Sequence, residues 1–274
     1  MLIYILLIMV DFLQGDKFKL LANNKNIFYY HTHDVNDFFN SINFTHDFIL
    51  ISHNSDGRVT DNPGPTNMGH YPINGKSADA DVKKIPKNLK KWFAQNVDFI
   101  SPLIESIPIG LENSYVLPNL KKREKLFNII NKDKNFINLI YLNCNTATNP
   151  NTRNYIYKIC QNKNYITSHI GKNGYNYDDY LNNLYNHKFM ICPEGNGIDV
   201  HQPWESLYLG VIPIQVKNIN NSNWRDLPIC FIDTWDELTN EEYFIKEYDR
   251  ITNTEFNMNK LNMKYWNSKI LNSI

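Results

Sequence analysis

HKFMICPEGNGIDVHQPWESLYLGVIPIQV, residues His187 to Val216, sets two strands, a glycine turn and a helix in one short span. Lys188 to Cys192 is an apolar run of strand length and reads as a buried strand. Pro193-Glu194-Gly195-Asn196-Gly197 breaks it with two glycines and an asparagine, residues that accept unusual backbone angles. Pro203 suits a first helical turn, Trp204 to Leu209 continue the helix, and Gly210 ends it. Val211 to Val216 is apolar and β-branched, the next parallel strand. A strand end, a glycine turn and a helix N-terminus together make a seat for an anionic ligand, usually a phosphate.

The same alternation extends backward. Strand 137–143, helix 150–162, strand 165–170 and helix 176–186 precede the quoted stretch. This βα order specifies a parallel sheet with helices on both faces. Ligands bind such sheets at the carboxyl ends of the strands. The loops Asn143–Asn151, Ile170–Gly174, Cys192–Pro203 and Val216–Asn223 should therefore gather on one edge. In the first half, Ile27 to Tyr30 and Phe48 to Ser52 read as buried strands, and Asn36 to Phe44 as helix or loop. Lys87 to Gln95 reads as a short amphipathic helix, and Ile107 to Leu111 as a strand end with a turn. Ser55 to Lys76, rich in Gly, Pro, Asn and Asp, is a long loop. Lys121 to Lys134 is a charged helix or linker, and the boundary between two domains falls there, dividing 1–130 from 131–274. Glu241 to Ile274 reads as helices.

The 274 residues carry 28 Lys and Arg against 28 Asp and Glu, so no global field favours nucleic acid or an anionic membrane. Aromatics at 14% argue against disorder. The four cysteines are scattered, which reads as buried free thiols. The N-terminal MLIYILLIMVDFL is shorter than the ~20 residues of a membrane span. It reads as a first core strand or helix, with a truncated anchor as the rival. Membrane association and localisation stay open. The triplets Asn43-Phe44-Thr45 and Asn220-Asn221-Ser222 match the glycosylation acceptor pattern, which an Asn-rich chain produces by chance.

Candidate chemistry lies at the strand ends. Glu194 and Glu205 flank the glycine turn. A carboxylate at a helix start binds hydroxyls, and Gly195, Asn196 and Gly197 offer backbone N–H groups. Each has a plainer reading: Glu205 complements the helix dipole and Glu194 is a turn residue. Arg153, in the first turn of a helix after the 137–143 strand, suits a bidentate diphosphate contact, or is a surface Arg with a local partner. His201 stands at the next helix start. In the first half, Asp56 or His53 ends a strand where a general base would sit, the alternative being an Asx-turn. His31, His33 and Asp34 form a second polar strand end. No metal site is assigned, because His31 and His33 lack a third ligand and Asp79-Ala80-Asp81 has no adjoining apolar strand.

On Phe189–Pro193, Glu194–Gly197, Trp204-Glu205 with Leu207, and Gly210–Ile214, the second half resembles the exostosin-type glycosyltransferases, viral and bacterial members included. The resemblance covers about residues 137–240. Ile107–Asn113 and His53–Asp56 match more loosely. It implies a GT-B fold, two Rossmann-like α/β domains facing a cleft. Residues 1–130 would take the acceptor and 131–274 the nucleotide-sugar donor, UDP- or GDP-linked. It implies inverting transfer to a glycan or protein hydroxyl without a bound metal or other cofactor. Where the family often keeps an Arg before its Trp/Glu pair, this chain has His201-Gln202-Pro203, so His201 or Arg153 would supply the cation. The rival expectation is a catalytically inactive nucleotide- or sugar-binding module of the same fold.

Overall fold

A computed structural model of the chain describes residues 11–41, 45–64, 78–113, 117–170 and 176–273. Most of the apolar N-terminal run, Asn43 and Phe44 of the first glycosylation triplet, the second half of the 55–76 loop and the turn at 171–174 lie outside the described residues.

The fold is mixed α/β around two parallel sheets. In the first half, strands β1 (Ile27–His31), β2 (Phe48–His53), β5 (Leu89–Ala94) and β6 (Ile104–Ser106) pair side by side in that order. A two-stranded parallel ribbon, β3 (Val59–Thr60) with β4 (Ala80–Asp81), lies between β2 and β5 in the chain. In the second half, β7 (Asn138–Leu142), β8 (Ile166–Ser168), β9 (His187–Ile191), β10 (Ile212–Val216) and β11 (Cys230–Ile232) pair in the order β11-β10-β9-β7-β8. This is the doubly wound 2-1-3-4-5 order, and its reversal falls between β7 and β9. The first sheet runs consecutively, with no reversal among the described residues. The two expected Rossmann-like halves are therefore not alike, and the second alone has a switch point among those residues.

Among the described residues the α-helices are α1 (Gly15–Lys19), α2 (Val35–Ser41), α3 (Leu117–Ile129), α4 (Pro150–Cys160), α5 (Tyr177–Tyr185), α6 (His201–Tyr208), α7 (Glu241–Thr252) and α8 (Met263–Leu271). The alternation of side chains along β7 and β9 explains why both faces of the second sheet are covered. Ile140, Leu142, Phe189 and Ile191 face Ile156 and Cys160 of α4 and Phe244 and Ile251 of α7. Tyr141 and Met190 face Leu181 and Leu184 of α5 and Trp204 and Leu207 of α6. All four cysteines are buried and free.

The expected amphipathic helix over 87–95 is corrected: Leu89–Ala94 within it form β5, a central strand. The adjacent aromatics decide it. Trp92 enters the core with Leu50 and Phe39, while Phe93 enters the core with Ile49 and Ile51. Only a period of two sends neighbouring residues to opposite cores. Trp92 Nε1 also donates to Ser52 Oγ across the sheet (2.8 Å).

The core containing Phe93 does not stop at the domain boundary. It continues through Leu126 and Ile129 of α3 to Tyr141, Met190 and Trp204, and takes in Trp266 of α8. Helix α8 is pinned to the first half: Met263 N–H donates to Asp11 O (2.7 Å), and Lys269 pairs with Glu105. Among the described residues, no helix is long and apolar enough to cross a membrane.

After β6 the segment 107–112 crosses to the N-terminal chain. Gly110 has φ +70°, and a Cβ there would run into the Leu13 carbonyl, while Leu111 N–H donates to Leu13 O (2.9 Å). Replacing Gly110 with Ala should destabilise the protein by roughly 1–3 kcal/mol, combining left-handed strain with a main-chain clash. Denaturant unfolding of Gly110→Ala against the parent checks this.

Candidate functional site

The carboxyl ends of the two sheets meet, and asparagines make the junction. Asn54 after β2 and Asn96 after β5 both adopt left-handed backbone (φ 54° and 59°), a conformation that asparagine tolerates better than most residues. Asn96 is fully buried. Its Nδ2 donates to Ser55 O (3.0 Å) and its Oδ1 accepts from Asp199 N–H (2.8 Å). Val97 N–H donates to Asn220 Oδ1 (2.9 Å), and Ser106 Oγ donates to Asn220 O (2.6 Å). The loops after β2, β5 and β6 thus face those after β9 and β10.

The glycine turn is braced from inside. Arg153 on α4 is 5% exposed. Its Nε donates to Glu194 O (2.9 Å), Nη2 to Pro193 O (3.1 Å) and Nη1 to Asn145 O (2.7 Å). One guanidinium therefore ties the loop after β7 to the loop after β9, across the switch point. This corrects the expected diphosphate contact, because all three nitrogens already serve main-chain carbonyls. Gly195 and Gly197 are not in left-handed backbone. They are glycines for close approach: a Cβ would lie 3.0 Å from Arg153 Nη2 at Gly195 and 2.7 Å from Asn96 Nδ2 at Gly197. Their loop is also partly closed on itself, since Gly195 N–H donates to Gly197 O (3.0 Å).

Beside this turn lies a cavity of about 160 Å³, walled by Thr152, Cys192, Glu194, Gln215, Asn218 and Trp235 among others. Glu194 Oε1 accepts from Asn218 Nδ2 (3.3 Å), and Oε2 lies 3.7 Å from Arg58 Nη2. Burial raises the Glu194 pKa, and Arg58 opposes it. Arg58 comes from the first half and also donates to Asp98 (3.0 Å). Asn196 Nδ2 reaches the exposed Asp56 Oδ2 (3.4 Å). Asp56, Arg58, Asp98, Glu194 and Asn196 thus form one polar edge contributed by both halves.

Three more expected site residues lie apart from that edge. Glu205 accepts from Tyr180 OH (2.6 Å) and Tyr177 OH (3.1 Å) and lines a different recess, with Leu111, Lys122 and Arg123. Burial raises its pKa, opposed first by the Tyr180 bond. His53 is fully buried, which corrects its expected role as a base. Its Nε2 donates to Pro108 O (3.0 Å), and Nδ1 accepts from Asn54 N–H (2.7 Å). Burial lowers its pKa to about 4. His201 Nδ1 donates to Gly110 O (2.7 Å), so His201 joins the halves at the start of α6.

Sequence reasoning missed Asp199. It is buried, and its carboxylate accepts from Ile109 N–H (2.7 Å) and Trp204 Nε1 (3.0 Å), linking segment 107–112 to α6. Burial raises its pKa to about 7 despite these donors. Arg58, Asp98 and Gln215 were also missed, and none stands in a motif. Asp79 and Asp81 serve backbone: Asp79 accepts from Arg58 N–H and Asp81 from Lys83 N–H. Among the described residues, no group of three or more His, Cys, Asp or Glu is placed to hold a metal.

The fold and this edge define an α/β protein whose two parallel sheets meet at their carboxyl ends. No family model matches the chain, and no curated protein resembles it significantly in sequence.

Arg153→Lys should lower stability by about 2–4 kcal/mol, since one ammonium cannot serve three diverging carbonyls and leaves buried acceptors unmet. Chemical denaturation without ligand reads this directly. For His53, the unfolded ring takes a proton near pH 6.5 and the folded ring only near pH 4. Its contribution is therefore present above 6.5 and is lost as pH falls toward 4, by roughly 3 kcal/mol. Nitrogen chemical shifts should show a neutral Nε2–H tautomer at pH 5; a His53 resonance titrating near 6.5 would place the ring in solvent.

Proposed function

We propose that the chain is a nucleotide-sugar-dependent glycosyltransferase of GT-B type, with residues 1–130 on the acceptor side and 131–274 on the donor side. The observation that carries the reading is the meeting of two parallel sheets at their carboxyl ends, across a polar edge that includes a cavity. Such edges are where α/β sheets take ligands. The exostosin-like block supports it from the sequence side.

In this reading the acceptor hydroxyl gives its proton to Asp56, the most exposed carboxylate of the edge. The oxygen attacks the anomeric carbon as the bond to the diphosphate breaks, and the nucleoside diphosphate leaves with the electron pair. Arg58, the cation of that edge, offsets the leaving charge. Arg153 acts one step back, by holding the Pro193–Gly197 turn. Glu205 then serves the donor only if the nucleotide reaches the Tyr177 recess. The cavity, at about 160 Å³, is smaller than the ~300–1,000 Å³ of pockets for drug-sized ligands. It holds one ring, and the rest of the donor lies along the edge.

A non-catalytic binding module is the second reading. It is favoured by the internal use of Arg153 and by Gln202, whose Nε2 donates to Asn143 O. Turnover separates the two. Incubation with UDP- and GDP-sugars and varied acceptors should release nucleotide, and Asp56→Asn should cut that release about 10²–10⁴-fold with nucleotide affinity unchanged. Binding without release across the panel selects the module.

A further inference from the structure

The polar edge lies at the carboxyl ends of the second sheet, and the amino ends of the same strands form a separate rim. Phe136 and Ile137 stand in its middle, just before β7, and are 48% and 58% exposed. Ile137 N–H donates to Asn186 O (2.7 Å), ahead of β9, and Asn138 Nδ2 donates to Asn164 O (2.7 Å), ahead of β8. The approaches to three neighbouring strands are thereby tied into one surface. The Phe136 ring meets Tyr248 of α7 edge-on (6.2 Å), and Lys134 Nζ and Lys188 Nζ lie over it at 5.6 and 5.7 Å. Lys134 is fixed in turn, donating to Leu209 O (3.3 Å) and Gly210 O (3.0 Å) at the end of α6. Adjacent apolar side chains held in water inside a polar surround mark a surface that meets something.

Charge is segregated here in a chain that carries none overall. Residues 130–138, 158–165 and 185–188, which lead into β7, β8 and β9, contain five Lys and a single carboxylate, Asp133. The adjoining turn of α7 adds Glu247 and Asp249 against Arg250, which leaves the rim net positive. Among the described residues, none of Lys132, Lys158, Lys163 and Lys188 is paired with a carboxylate. The chain also joins the described fold on this side. Phe12 stacks on Phe127 near the end of α3 (4.1 Å) and meets Tyr208 edge-on at the end of α6 (5.1 Å), and the ten residues before Asp11 are uncharged and apolar in sequence.

Unpaired ammonium groups call for a polyanion, and the apolar pair between them selects which kind. A nucleic acid would stack a base on Phe136, but two ammonium groups already lie over that ring, and Ile137 has no use on a phosphate backbone. A bilayer surface uses both: apolar side chains enter the headgroup boundary, and lysine stems lie along it with their charge at the phosphates. We infer that this rim docks on an anionic lipid bilayer, with Phe136 and Ile137 entering the boundary and Lys132, Lys158, Lys163 and Lys188 facing the lipid phosphates. β7 is five residues long, so the polar edge at its other end would lie roughly 15–20 Å farther from the lipid and stay open to water. The docking surface is therefore independent of what that edge binds.

Flotation of the full chain with vesicles tests this, using phosphatidylcholine alone and phosphatidylcholine with phosphatidylserine. The protein should float with the anionic vesicles, stay behind with the neutral ones, and be released as salt is raised. Lys132→Gln and Lys163→Gln should each weaken binding about fivefold. Ile137→Ser should weaken it about tenfold. All three should leave the melting temperature unchanged, which separates lost docking from lost folding. Lys83→Gln with Lys84→Gln, on the first half, should change nothing. Equal flotation with both vesicles, or none with either, overturns the inference. So does binding that the rim variants leave intact, which would assign it to another part of the chain, or an equal loss in the Lys83 and Lys84 control. Retention of single-stranded RNA without flotation would make the rim a nucleic-acid surface instead.

Discussion

A single buried guanidinium sets the geometry of the second half. In a doubly wound sheet the switch point is an open crevice, because the loops after its two flanking strands turn away from each other. Here Arg153 fills that crevice and bonds to both loops. The Pro193–Gly197 turn is thereby pulled inward, and its glycines are small because Arg153 and Asn96 press on them from two sides. A residue whose type suggests anion binding instead serves as scaffold. The same turn then delivers Glu194 and Asn196 outward to the edge shared with the first half.

The halves are joined more firmly than a two-domain reading of the sequence implies. Asn96, Asp199 and Asn220 bond across the junction with buried groups, and one apolar core runs beneath them through α3 to α8. Helix α8, last in the chain, packs against the first half. Opening this edge by rigid rotation would have to break buried hydrogen bonds and expose Trp266, so side-chain and loop adjustment at the rim is the cheaper route for a ligand.

Much of the second half is legible in the sequence because its signals are local. Apolar runs of strand length, Asn149 and Asn176 at helix starts, and Gly210 with φ +64° at the end of α6 each act within a few residues. The first half is less legible. Lys87 to Gln95 has charges at one end and aromatics at the other, and only the two cores on either side of β5 make it a strand. The site was read in part. Glu194, Asn196 and Asp56 do lie on the shared edge, whereas His53 and Arg153 are interior, and side-chain type does not reveal which way a residue faces. Asp199, Arg58 and Gln215 gain their meaning from partners far off in the chain, at Ile109, Glu194 and the wall of the cavity, and no local pattern announces such pairs.

The two buried groups on either side of segment 107–112 have a joint consequence. His53 bonds to Pro108, and Asp199 to Ile109. Folded, His53 stays unprotonated down to about pH 4, and Asp199 keeps its proton up to about pH 7. Unfolded, each reverts to its ordinary range. At pH 5 the unfolding chain therefore picks up a proton at His53 and sheds one from Asp199. Alone, each would tilt stability by about 1.4 kcal/mol per pH unit, in opposite directions. Together they make unfolding a proton exchange with no net uptake, so mild acid gains no purchase on this junction.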